Sequence, residues 1–532
     1  MLTVVLLAAV ALPGPVWADA PAELTGKGLA PLDWAIIGAY CVGTIALGYY
    51  YSRRQTSTHE YFVGSGRMNP VLVGVSLFAT LLSTISYLSM PGESLGKGPV
   101  YLASLLALPM VFVVVSFVIL PVYMKQRVTS AYELLEARLG YSIRMLGAGM
   151  FISLRLIWMS LLIYLTAKAL TVMLGVGPDW IPWIALATGF VAVIYTSLGG
   201  LQAVVITDLF QTLLLYGGAV TVLILISMDL GGFSWFPTSW NPSWDTQPII
   251  STNLSTRVTL LGTLLNYFTW YVCTAGGDQT SVQRFMAVSD AKAARRAYAT
   301  QLIVSVIVTL TLGLVGFALM GYFEAHPERL PAALDLKKNA DQVFPHFIAY
   351  ELPVGISGLV VAAMFAAAMS SIDSGVNSIT AVVMTDVLDR HGWTPKTEKQ
   401  HVLTARLLAF TIGATVVYAS STMGAIPGNI TAVTTKTANL LTTPIFALFF
   451  FAVFVPFASP LGVWAGAFAG TATAILIAFS GPIFGFVTSP SGAKLDPISF
   501  QWIAPIAFAV NVAFGSLMSL LLPDNELGVQ EP

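Results

Sequence analysis

The sequence predicts an all-α membrane protein with about thirteen transmembrane helices, and three observations predict it. Of 532 residues, 56% are apolar and only 10% charged, with a mean hydropathy of +0.78, whereas a globular domain is about 45–50% apolar and about 25% charged. So little charge cannot coat a soluble globule of this length. Runs of about 20 apolar residues, each enough to cross roughly 30 Å of hydrocarbon, recur along the chain. No ten-residue segment alternates apolar and polar as an outer-membrane barrel strand does. The 25 Lys and Arg balance 26 Asp and Glu, leaving no basic excess for nucleic acid. Cys41 and Cys273 lie inside apolar runs, so the chain has neither a disulfide framework nor a CxxC metal site.

Taken in order, residues 1–20 form a short apolar run ending in the small-x-small pattern Ala18-Asp19-Ala20 and read as a signal peptide, although no Lys or Arg precedes the run. A first flanking helix and a cytoplasmic loop occupy 21–69. Thirteen spans follow near 33–51, 70–91, 100–123, 146–173, 180–198, 204–229, 258–275, 298–322, 354–384, 403–423, 432–456, 462–480 and 501–522. With the amino end outside, the loops placed in the cytoplasm carry fourteen Lys and Arg, among them Arg53, Arg54, Arg144, Arg284 and Lys396, against seven on the opposite loops. That bias obeys the positive-inside rule and puts the carboxyl end in the cytoplasm. The loops near 230–256 and 323–345 are too short for a soluble domain. Trp235, Trp240 and Trp244 in the first of them are expected at the membrane surface. All five His map to loops or helix ends, so the facing His or paired carboxylates that a membrane enzyme needs are absent.

Two segments interrupt their own helices. The second span crowds hydroxyls into Ser76–Ser89 before Pro91-Gly92, and the seventh ends Ala275-Gly276-Gly277-Asp278. Broken helices free backbone N–H and C=O groups near the bilayer midplane, where they can hold ions and solutes. The two breaks open equivalent sets of five spans, which suggests an inverted repeat, with repeat one at 70–229 and repeat two at 257–456. Two carboxyl-terminal helices and a short tail make up 457–532.

An ionisable group inside a membrane costs about 2.5–3.5 kcal/mol at a helix centre and marks a site or pathway by default. Here these are Asp208, Asp373, Arg155 and Lys168, with Lys436 able to snorkel from a span end. Ser370, Asp373, Ser374 and Asn377 share one helical face by their 3–4 spacing. Hydroxyls and a carboxylate beside exposed carbonyls make an all-oxygen setting for a hard cation such as Na⁺. Small-residue and Ser stripes also serve as helix–helix glue; the charge on Asp373 is what glue does not need. Arg155 suits a solute carboxylate, which guanidinium binds bidentately; structural pairing with Glu93 or a backbone carbonyl accounts for it equally.

At these residues the chain resembles a known family. Asp278-Gln279-Thr280-Ser281-Val282-Gln283-Arg284-Phe285, with the basic loop after it, is similar to the DQxxxQR(Y/F) signature of the sodium:solute symporters. Ala366-Ala367-Ala368-Met369-Ser370-Ser371 and Gly199-Gly200…Thr207-Asp208 match family patterns too, and the resemblance runs over 33–456. It implies two inverted, LeuT-like five-helix repeats and Na⁺-driven solute import by alternating access, with no organic cofactor and a functional monomer in the lipid bilayer. It also implies a first sodium site from Ala79 and Leu82 on the broken helix with Ala367, Ser370 and Ser371. A second, used by some members, would fall on Asp208, Ser370 and Ser374. Asp373 stands where such members often show Ser or Thr, so it joins this second set as a candidate. Expected solute contacts are Ser83, Ser86, Arg155, Asn266 and Trp270. The stretches around Pro331 and Glu351–Gly358 look similar to the sialic acid and sugar branch, where an Arg holds the solute carboxylate; Arg155 lies about one turn from that place and Trp158 at it. A sugar acid such as sialic acid is therefore favoured over a neutral sugar or small carboxylate. An uncoupled channel or a membrane sensor on the same scaffold is the alternative.

Overall fold

The computed structural model describes residues 29–523 except 53–60, 63, 65, 127, 243, 245–247, 333, 394, 396, 422, 424–429 and 489–493. The signal peptide expected at 1–20, the loop residues Arg53, Arg54 and Lys396, and the tail from 524 lie outside the described residues.

Apolar runs become helices because the bilayer offers no other partner for the backbone, and polar residues decide where each begins. The helices are α1 (Pro31–Ser52), α2 (Pro70–Leu81), α3 (Thr84–Lys97), α4 (Pro99–Gln126), α5 (Glu133–Leu139), α6 (Tyr141–Leu174), α7 (Ile181–Asp229), α8 (Leu260–Gly277), α9 (Gln279–Met286), α10 (Ala291–Ala325), α11 (Ala340–Tyr350), α12 (Ile356–Val382), α13 (Glu398–Ser420), α14 (Ile430–Phe454), α15 (Pro460–Ala478) and α16 (Ile503–Leu521). Asn69 caps α2 by accepting from the Val71 N–H at 2.8 Å with Pro70 at the first helical position. Thr259 and Asp290 cap α8 and α10 in the same way, each satisfying an N–H that a helix start leaves open.

Both expected breaks are present and built alike. Leu82 (φ −86°, ψ 113°) ends α2 in an extended conformation and Ser83 caps α3, bending the pair by 68°. Asp278 (φ −95°, ψ 121°) separates α8 from α9 and caps α9 through the Thr280 N–H at 2.9 Å. In each case an extended residue stops one helix and a side-chain oxygen starts the next.

Among the described residues, ten helices are long and apolar enough to cross a membrane, eleven with the bent α2–α3 pair. Two of the thirteen expected spans fall short of that measure. The stretch Pro178–Ile194 is a shorter apolar helix; it runs into the next span as one helix, α7, bent at Gly200 (φ 62°, ψ −180°), a backbone position that glycine alone adopts readily. α8 is diluted by Asn266, three Thr and its terminal Gly pair. α11 also departs from expectation, since it lies where a loop was anticipated and holds His346 mid-helix, stacked on Tyr350 at 4.7 Å. The Trp segment is not at a membrane surface throughout: Trp244 is 2% exposed and donates to the Leu95 carbonyl at 3.0 Å, packed over Gly98 and Phe317.

The core centres on α12, whose membrane window is 83% buried against 22% for α1. It packs against α1, α6, α7, α13 and both halves of the first broken helix. α15 and α16 pair with each other at the carboxyl end, joined by a small hairpin, β1 (Val487–Thr488) antiparallel to β2 (Lys494–Leu495). Lys436, expected to snorkel, instead pairs with Asp496 beside that hairpin at 2.7 Å.

Candidate solute and ion site

The first break and the hydroxyl stripe meet. The last carbonyls of α2 have no helical partner beyond the break, and α12 lies directly alongside. The Ser371 hydroxyl donates to the Thr80 carbonyl at 3.3 Å, Thr80 and Ser374 share a hydroxyl contact of 2.9 Å, and the Thr84 hydroxyl donates to the Met364 carbonyl at 2.8 Å. Ala79, Leu82, Ala367, Ser370 and Ser371 are all buried along this seam. Small side chains at Ala366, Ala367 and Ala368 let the broken helix come this close.

Beneath the break sits a closed polar cluster. Asp208 and Arg284 both have fully buried side chains, their closest atoms 3.4 Å apart. The Asp208 carboxylate accepts from the Ser76 and Ser370 hydroxyls, each at 2.5 Å. Arg284 donates through Nε to Ser76 at 2.8 Å, through Nη2 to Ser374 at 2.5 Å and through Nη1 to the Thr280 carbonyl at 3.2 Å. Arg284 is thus a core residue and contributes nothing to the loop charge bias that was read from the sequence.

Asp373 meets a different helix from Asp208's hydroxyl partners. It faces the first half of α7, where the Thr196 hydroxyl donates to it, and it is fully buried. Helical geometry explains the divergence. At about 100° per residue, Ser374 lies some 40° to one side of Ser370 and Asp373 some 60° to the other. Of the residues expected around a second cation, Ser370 meets Asp208, Ser374 meets Arg284 and Thr80, and Asp373 meets Thr196.

The expectation for Arg155 is overturned. Its guanidinium donates to Asp278 and, at 2.6 Å, to the Thr280 hydroxyl, with both charged side chains 8% exposed. It fixes the second break and does not line the cavity. Glu93 is not its partner either, for Arg257 binds Glu93 bidentately at 2.7 Å on both oxygens. The structure thus favours the reading of Arg155 as structural pairing, with Asp278 in place of Glu93.

A cavity of about 120 Å³ opens beside the first break, walled by Leu82, Ser86, Asn266 and Trp270 among others. Three of the five expected solute residues line it, namely Ser86, Asn266 and Trp270. Ser83 is held at the break as the α3 cap, accepting from the Ser86 N–H at 3.4 Å. Trp158, which the resemblance put at the solute-holding position, lines the cavity too, while Gln301 and the α14 stripe Thr431, Thr434, Thr435 and Asn439 were not among the expected liners. The stripe was legible as polar residues at 3–4 spacing inside an apolar helix, but Lys436 drew the attention. Among the described residues, no charged side chain lines the cavity. Among the described residues, Gln301 Oε1, Asn439 Oδ1 and the Thr431 and Thr434 hydroxyls have no hydrogen-bond partner. A buried polar atom without a partner costs free energy that a bound solute can recover.

The family model of the sodium:solute symporter family matches residues 61–471. The chain belongs to this family. Its relatives include the sodium/sialic acid symporter SiaT of Proteus mirabilis, 31% identical over 399 residues that make up 72% of this chain and 76% of the relative. The human sodium-coupled monocarboxylate transporter 1 is 28% identical over 85% of this chain and 74% of its own length. Among solved structures, a Na⁺-coupled sialic acid symporter in a substrate-bound outward-open state superimposes with a TM-score of 0.76 at 26% identity, covering 92% of this chain and 98% of that one. The expected all-α membrane fold of a LeuT-like symporter is the fold observed. The chain is a sodium-coupled solute transporter, not an enzyme.

Proposed function

We propose that this symporter imports a sugar acid of the sialic acid kind, or a related sugar or small carboxylate, across the cell membrane by alternating access. The observation that carries the reading is the seam between the first break and α12, which abuts the cavity. Leu82 belongs to both, so an ion and a solute would lie against the same unwound backbone. Na⁺ would be held by the Ala79, Leu82 and Ala367 carbonyls and the Ser370 and Ser371 hydroxyls, an all-oxygen set suited to a hard cation. A solute carboxylate would meet Ser, Thr, Asn and Gln donors rather than a guanidinium, with Trp158 and Trp270 against its apolar face. Asp208, Ser370 and Ser374 offer a place for a second cation; Asp373 and Thr196 form a separate polar contact. The sialic acid and monocarboxylate specificities of the relatives support an anionic solute. The amino end outside, the carboxyl end in the cytoplasm, 70–229 and 257–456 as the two repeats, and function as a monomer complete the proposal.

The test is uptake of labelled sialic acid, a neutral hexose and a small monocarboxylate into proteoliposomes, with an inward Na⁺ gradient or with choline in place of Na⁺. Accumulation of sialic acid that needs Na⁺ and is lost in Ser371→Ala is the expected result. Accumulation indifferent to choline ends the coupling proposal, and uptake of the hexose alone ends the anionic one.

A further inference from the structure

The place offered to a second cation already holds a cation of the protein's own. Arg284 reaches Asp208 and Ser374 directly and Ser76 between them, and no part of its side chain is exposed. Resting on the sodium-coupled reading above, we propose that the Arg284 guanidinium is a tethered counter-cation of Asp208. A mobile monovalent cation displaces it when it binds among Asp208, Ser370 and Ser374.

The argument is one of charge and of connection. Asp208 and Arg284 form a neutral pair in an interior where neither side chain meets solvent. The neighbouring Arg155–Asp278 pair is neutral in itself, and the buried Asp373 carboxylate meets Thr196 on the other side of α12. A sodium ion placed beside Asp208 with Arg284 still in contact leaves a net positive charge in a low-dielectric site, which burial strongly disfavours. Binding of the ion and withdrawal of the guanidinium are therefore linked. Ser374 makes the competition direct, since its hydroxyl oxygen accepts from Nη2 at 2.5 Å. The lone pairs that oxygen would give a cation are the ones facing Arg284.

The connections give this exchange a mechanical consequence. Arg284 lies on α9, just after the second break. Ser76 lies on α2, just before the first, while Asp208 and Ser374 belong to α7 and α12. One side chain thus ties the first half of one broken helix and the second half of the other to the two helices that carry the carboxylate and the hydroxyl stripe. Withdrawing it breaks the Nε bond to Ser76 and the Nη2 bond to Ser374 together and loosens α9 against α2 and α12, leaving the Ser378 bond to Gln283 at 2.8 Å as a tie to α12. A ligand shifts a conformational equilibrium only through such differential contacts, and here the two cations cannot both make them.

The experiment titrates Na⁺ against purified wild type, Arg284→Gln and Arg284→Gln/Asp208→Asn, reading thermal melting, with choline as the control salt. In Arg284→Gln, Asp208 has lost its only cationic partner among the described residues. The half-saturating Na⁺ concentration is expected to fall at least tenfold, and the melting-temperature gap to wild type to close as Na⁺ rises. The gain should vanish in the double variant. A gap that stays constant at every Na⁺ concentration, or an Arg284→Gln protein that no concentration of Na⁺ allows to fold, overturns the proposal in favour of a purely structural arginine. Ser371→Ala separates the two levels. If wild type itself shows no Na⁺ response, the sodium reading fails. If wild type responds, Ser371→Ala abolishes the response and Arg284→Gln leaves it unchanged, only the Arg284 inference fails.

Discussion

Replacing Arg155 by Gln distinguishes a solute-binding arginine from one that holds the second helix break. The pair with Asp278 has 8% of each side chain exposed, and removing one partner of a buried pair costs about 3–5 kcal/mol because the other charge stays buried. At about 1.4 kcal/mol per decade that is roughly a hundredfold to several-thousandfold shift in the folding equilibrium. Arg155→Gln is therefore expected to lower the melting temperature and to reduce Na⁺ and solute responses together, in proportion to the folded protein left. Asp278→Asn keeps Oδ1, which accepts the Thr280 N–H at 2.9 Å and caps α9, so the double variant Arg155→Gln/Asp278→Asn should recover most of the stability lost by the single one. The assay is a double-mutant cycle in melting temperature, with uptake normalised to folded protein. An Arg155→Gln protein that melts like wild type and binds Na⁺ normally, yet has lost solute affinity, would refute the reasoning and return Arg155 to the solute.

Further expectations follow from other contacts. Arg257→Ala leaves Glu93 buried without its bidentate partner and should cost about 3 kcal/mol, read as a lower melting temperature that Arg257→Lys only partly restores. Asn439→Leu removes a cavity amide whose Oδ1 has no partner among the described residues; solute affinity should fall up to about tenfold, while the Na⁺-induced thermal shift stays as in wild type. At the loop helix α5, hydrogen bonds from Arg390 and Arg144 hold the Glu136 carboxyl below its usual pKa. A depressed carboxylate pKa gives stability that is present above the unfolded value and lost as pH falls through the folded one. Melting temperature should therefore drop as pH is lowered below about 4.5, and Arg390→Ala should flatten that part of the curve.

Helix positions and both breaks were legible because apolar run length and the Ser83 and Asp278 caps are local signals. The seam between the first break and α12 was legible for a related reason: Ser370, Ser371 and Ser374 lie together beside a run of Ala, and the broken helix could be recognised by its hydroxyls. Partner choice was not legible. Arg284 and Asp278 follow a Gly pair where hydropathy falls away, so a hydropathy scan places them in a loop although the short helix α9 carries them back into the core. The cavity was half legible for the same reason. Ser86, Asn266 and Trp270 stand near breaks and were found, whereas Thr431, Thr434, Thr435 and Asn439 belong to an unbroken helix whose facing direction depends on tertiary packing.

The charges inside this membrane protein make a consistent pattern once their partners are known. Asp208 meets Arg284, Arg155 meets Asp278, Arg144 meets Asp386 at 2.6 Å and Glu93 meets Arg257. Each pair joins residues far apart in sequence, and the first, second and fourth each include a residue on, or bordering, a broken helix. A buried pair adds little net stability over apolar packing but is costly to split. Pairs of this kind therefore resist small displacements of the broken helices and yield only when another charge replaces a partner. Asp208 is the member of this group whose surroundings, the Ser370 and Ser374 hydroxyls, could accept a bare cation in exchange. Arg155–Asp278 has the single Thr280 hydroxyl close by and Glu93–Arg257 is closed bidentately, so neither offers such a substitute. Under the exchange proposed for Arg284, a cation at Asp208 would gain its leverage over the fold there, with the remaining pairs keeping the rest of each broken helix in register.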